Sequence, residues 1–259
     1  MHENRGLLTR LIKQEQIFVV LGIILLTVLT WSYIFYLNSA AAMPMNEISM
    51  PQMNSWNLND FLAIFIMWSV MMTAMMIPSA APMILVFASV YHKRKLSGND
   101  FVPTWIFLLG YLLIWTGFSF LAAFLQWLLH HYSIISPELK LISPVSSGIV
   151  LLAVGIYQFT PMKNVCLKNC QNPLNFVMGS WREGSLGAFI MGIHHGLYCL
   201  GCCWILMLLL FVAGVMNLIW VAMIAVLIFL EKIIPSGKWF IRISGILFAA
   251  WGFILIIKS

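Results

Sequence analysis

Charge is what this chain of 259 residues has least of: 8% of its residues are Asp, Glu, Lys or Arg, against roughly 25% in a soluble domain. So few charges cannot clothe a water-facing surface, and a composition that is 62% hydrophobic implies lipid as the solvent for most of it. There is no Gly-rich phosphate loop, no long basic run and no low-complexity tract. Nucleotide binding through a P-loop and nucleic-acid binding through a basic stripe therefore have no basis here. The acids are Glu3, Glu15, Glu47, Asp60, Asp100, Glu138, Glu183 and Glu231. None falls clearly in the middle of an apolar run, which disfavours a pump built on a buried carboxylate relay and leaves a Ser–His–Asp triad without its acid. Cysteine is too sparse and too clustered for a secreted disulfide scaffold: the five are Cys166, Cys170, Cys199, Cys202 and Cys203.

What the chain does have is apolar runs. A helix needs about 20 apolar residues to cross a hydrocarbon core of roughly 30 Å. Seven stretches qualify, near residues 17–37, 61–91, 103–130, 143–159, 186–215, 218–234 and 239–257. The expected fold is all-α, one transmembrane domain over residues 1–259 built as a bundle of about seven helices, with 160–184 as a cytoplasmic connection. Ala40 and Ala42 resemble a signal cleavage site, but the uncharged run before them exceeds the usual h-region of about 7–15 residues, so a retained anchor is expected. The second run is longer than one crossing needs; Pro78 and Pro82 within it point to a kink or break, and a tilted helix with a cytoplasmic extension is the alternative.

Basic residues give the orientation. One set of connections holds Arg5, Arg10, Lys13, Lys93, Arg94, Lys95, Lys163, Lys168, Arg182, Lys232, Lys238 and Arg242, and the other only Lys140 and Lys258. By the positive-inside rule the N-terminus is cytoplasmic and the C-terminus outside, in a bacterial inner membrane. The net charge of +6 is then directed at anionic lipid, not at nucleic acid.

The fifth run contains Gly192-Ile-His194-His195-Gly196-Leu-Tyr-Cys199-Leu-Gly-Cys202-Cys203-Trp204. Imidazoles and thiols at membrane depth are costly, and ionisable groups there are functional candidates by default. At about 100° per residue, His195, Cys199 and Cys202 fall within roughly 60° of one another. Cys203 lies just beyond them, and His194 sits nearer the Tyr198 side. Ala188, Gly192 and Gly196 form a small-residue ridge beside this face, of the kind that admits a second helix. The expected metal ligands are His194, His195, Cys199, Cys202 and Cys203. A single ion cannot take them all, since His195 and Cys202 stand about 10.5 Å apart along the axis.

Secondary ligand candidates lie elsewhere. Cys166 and Cys170 form a C-x3-C pair bracketed by Pro161 and Pro173, which fits a short interfacial helix where metal is taken up or handed over. Met71 and Met75 belong to one stripe of the second span, Met72 and Met76 to another, and the outer loop holds Met43, Met45, Met50 and Met53. Thioethers suit Cu(I), although Met stripes also serve ordinary packing. His130 and His131 are expected to anchor the interface, Asp60 to cap the second helix, and Glu231 and Lys232 to pair locally.

The His194–Trp204 run, with Pro161-Met-Lys, Cys166-x3-Cys170, Gly214-Val-Met-Asn217, Leu230-Glu-Lys and Met71-Met-Thr-Ala-Met-Met-Ile-Pro78, resembles a largely uncharacterised bacterial family of metal-binding integral membrane proteins. The resemblance covers most of the chain from the second span onward. It implies a suspected metal site and supplies neither substrate nor reaction.

Thiolate, imidazole and thioether together favour Cu(I), with Zn(II) as runner-up. The leading reading is a protein that handles copper in the membrane, by translocation or by delivery to a membrane-protein partner. A homo-oligomer is an alternative partnership. Two other classes remain open: an oxidoreductase cycling the Cys199-x-x-Cys202 pair, and a non-catalytic subunit of a membrane complex.

Overall fold

A computed structural model describes residues 2–41, 58–96, 102–136, 140–234 and 238–259. Among the described residues the regular structure is helical, apart from one isolated bridge between Ile135 and Leu141. The helices are α1 (His2–Ala41), α2 (Leu58–Leu96), α3 (Thr104–His131), α4 (Pro144–Tyr157), α5 (Pro161–Gln171), α6 (Pro173–Gly179), α7 (Gly184–Cys203), α8 (Leu209–Ala213), α9 (Leu218–Ile233) and α10 (Lys238–Ile257).

Among the described residues, five helices are long and apolar enough to cross a membrane: residues 16–36 of α1, 58–91 of α2, and α3, α7 and α10. A sixth crossing is available only if α4 and α5 are taken together across their 64° bend. The expected count of seven therefore does not follow from helix length. α4 has 14 residues and α9 has 16, so at 1.5 Å per residue they extend only about 21 and 24 Å.

One expectation about helix continuity is corrected. The run 186–215 is not one helix. α7 ends at Cys203, a 3-10 turn covers Leu206–Leu208, and the short α8 stops at Gly214, whose φ of 95° suits glycine. Asn217 then caps α9 by accepting from the Trp220 amide. α2 is assigned as one continuous helix through Pro78 and Pro82, so neither proline breaks it.

Glycine decides the closest helix contacts. On α4 and α10, Gly148 faces Gly252 and Gly155 faces Gly245. A methyl built on Gly148 would lie 2.8 Å from the Gly252 carbonyl oxygen, and one on Gly155 2.8 Å from that of Gly245. Contacts at those distances leave no room for a side chain, so the two backbones meet directly. α3 and α7 cross in the same way, and that crossing holds the site. The loop Met43–Met53 lies outside the described residues. His131 closes α3 with its ring stacked on Trp127, at a centroid distance of 5.8 Å.

Candidate functional site

The small ridge of α7 determines which of its residues are enclosed. A methyl on Gly192 would fall 2.1 Å from the Phe107 carbonyl oxygen of α3, and one on Gly196 2.9 Å from Ile114 Cγ1. Reciprocally, a methyl on Gly110 would fall 2.2 Å from the Phe189 carbonyl oxygen. With α3 seated on this ridge, His195, Cys199, Cys202 and Cys203 are all buried. His194 is only half-buried and stands off that face.

Four other helices complete the surroundings of the α7 thiols. From α3, the Tyr111 hydroxyl lies 3.2 Å from Cys199 Sγ and 3.2 Å from the Met76 carbonyl oxygen. From α2, Met76 Sδ stands 4.0 Å from Cys203 Sγ. From α9, Lys232 Nζ donates to Cys199 Sγ at 3.0 Å and to Ser79 Oγ at 2.8 Å. A buried ammonium is expensive without compensation, and of these two acceptors only the sulfur can carry a negative charge. From α5, which packs against α7, Cys170 and Cys166 lie against the core that holds these thiols. A methyl on Gly201 would sit 2.6 Å from Cys166 Sγ.

The connection 160–184 thus does more than link two spans. Proline occupies the first turn of both α5 and α6, where its missing N–H costs nothing. After the 64° bend from α4, α5 packs against α7. A buried polar clamp holds it there. Lys163 Nζ lies 2.7 Å from Glu231 Oε2, and neither side chain is more than 2% exposed. Gln158 Nε2 donates to Glu231 Oε1 at 2.9 Å and to Ser244 Oγ at 3.1 Å. Gln171 Nε2 donates to the carbonyls of Glu231 and Ile234. Breaking a buried ion pair by removing one partner typically costs about 3–5 kcal/mol, so the clamp fixes α5 firmly.

The expected local pairing of Glu231 with Lys232 is corrected. Adjacent helical residues point about 100° apart and do not face each other. Glu231 turns to Lys163, and Lys232 turns to the thiols. Met71 and Met75 are core residues of α2, while the methionine that meets the thiols is Met76. Tyr111 and Ser79 carry no signal in the sequence, where Lys232 reads only as a neighbour of Glu231. The one available sign was a lysine at the end of an apolar run with no acid on its own face.

All five cysteines are free. Among the described residues, no group of three His, Cys, Asp or Glu is arranged to hold a metal ion. The reason is visible in the thiols: Cys202 and Cys203 donate back to the Cys199 carbonyl at 3.0 and 2.9 Å. A metal would have to draw them out of these bonds within the helix. His195 is stacked between aromatic rings, 5.5 Å from Tyr111 and 6.0 Å from Phe107, and its buried Nδ1 has no partner. The donor set is soft sulfur with one imidazole, which suits Cu(I) better than harder ions.

Comparison with known proteins agrees with that chemistry. The family PpoB2, described as copper chaperone, matches residues 65–255, from the first third of α2 to near the end of α10. It is thus a copper-related family and not one without a described role. No curated protein and no solved structure matches the chain.

Proposed function

The chain belongs to the PpoB2 copper chaperone family, and on that footing we propose that it is an integral membrane protein that carries Cu(I) on the thiols of α7 and delivers it to another membrane protein. The observation that carries this reading is the burial of Cys199, Cys202 and Cys203 together at the end of α7, with Met76 Sδ 4.0 Å from Cys203 Sγ. Copper is the cargo. Cu(I) accepts two sulfur ligands without demanding the four-ligand tetrahedron that zinc prefers, and a low coordination number matches a site whose thiols are not splayed around a common centre. Lys232 supplies the counter-charge beside Cys199 in the metal-free state. His195 and, less directly, His194 are the nitrogen donors within this reading. Given Cu(I) and Zn(II) together under reducing conditions, the purified full chain is expected to retain copper through gel filtration and to leave zinc behind. Retention of zinc in preference to copper would contradict the assignment.

The same reading takes the chain as a bacterial inner-membrane protein with seven crossings and a cytoplasmic N-terminus. α4 and α9 serve as short crossings, α4 supported by its glycine contact with α10 and α9 by α2. Reporter fusions after Arg94 and Ser236 should then report cytoplasm, and fusions after Ser136 and Ser259 the opposite side. Inverted results at two of these positions would reverse the orientation.

A further inference from the structure

The thiols fall into two groups by exposure. Cys199, Cys202 and Cys203 are buried, whereas Cys170 and Cys166 on α5 are half-buried, with the neighbouring Met162 and Val165 exposed. Cys170 lies on α5 where that helix packs against α7. Cys166 is one helical turn further along α5, with its sulfur over Gly201, where any side chain would collide with it. The Lys163–Glu231 pair holds the start of α5, and Gln171 bonds to the carbonyls of Glu231 and Ile234 at its end. Such an arrangement is costly to build for two idle cysteines.

We infer that Cys166 and Cys170 form a second thiol pair that exchanges Cu(I) between the enclosed α7 thiols and a partner outside. The inference rests on the copper reading above and adds the route. In the exchange, a bond forms between copper and the Cys170 sulfur, and one bond between copper and Cys199 or Cys202 breaks. The proton of the Cys170 thiol passes to the released sulfur. Copper stays Cu(I), so no oxidant or reductant is needed. A second exchange of the same kind moves the ion to Cys166, the more open end.

Withdrawal of copper from the loaded full chain by bathocuproine disulfonate, a water-soluble Cu(I) chelator followed by absorbance, tests this. Cys166→Ser with Cys170→Ser is expected to keep the wild-type copper content but to yield it at least about tenfold more slowly. Release at the wild-type rate would overturn the inference, because the pair would not lie on the route. Loss of copper from the purified double variant would also overturn it, because the pair would then belong to the primary site. A wild type that retains no copper would instead bring down the copper reading itself. If the double variant does not accumulate as a monodisperse protein, Cys166→Ala decides the matter by the same readout, since this half-buried sulfur is the last thiol on the proposed route.

Discussion

Cys199→Ser combined with Cys202→Ser is expected to empty the protein of copper. The substitution exchanges soft sulfur for hard oxygen at two positions, and Cu(I) discriminates strongly between them. Changing a group that merely orients a metal ligand typically costs about 10–100-fold in affinity, and loss of the ligands themselves must exceed that. Copper retained through gel filtration should therefore fall to background, while the elution profile stays that of the wild type. Lys232 makes the result sharper. With Cys199 gone, its ammonium keeps Ser79 as a partner but loses the acceptor able to carry charge, so some loss of thermal stability should accompany the loss of metal. If the double variant keeps its copper, the thiols of α7 are not the carriers.

Gly192→Leu is expected to cost more stability than any substitution on the outer faces of the same helix. The first added carbon would already fall 2.1 Å from the Phe107 carbonyl oxygen and 3.1 Å from the Tyr111 amide nitrogen. These are backbone atoms, so they cannot swing aside as a side chain can. Overpacking within a core typically costs about 1–3 kcal/mol, and a clash between two backbones belongs at or above the top of that range. The variant should accumulate poorly and lose its thermal transition in detergent. Leu197→Ala, on the exposed face of α7, is the control and should remain close to wild type. Equal behaviour of the two variants would mean that α3 and α7 do not cross at Gly192.

Much of this arrangement is legible before any coordinates. The apolar runs of α3, α9 and α10 mark their helices to within a residue or two, because length and hydropathy are local properties. The Ala188–Gly192–Gly196 ridge also announces its role, since small residues four apart admit a helix whatever that helix is. The end of α7 is not legible in the same way. Composition stays apolar through Leu206–Phe211, and the first punctuation is Gly214. The packing of α5 against α7 was hidden for a different reason. A polar segment with two prolines reads as a connection, and only the distant partners of Lys163 and Gln171 turn it inward. The choice of Met76 over Met71 and Met75 likewise depends on how α2 is rotated against α7, which no local pattern encodes.

The central claim is that copper in this protein is held by sulfur on α7. X-ray absorption at the copper edge of the Cu(I)-loaded wild type tests it most directly. A first shell of two or three sulfur atoms, at the distances of copper–thiolate bonds, is the predicted result. A first shell made of nitrogen and oxygen alone would contradict it and move the site away from Cys199, Cys202 and Cys203.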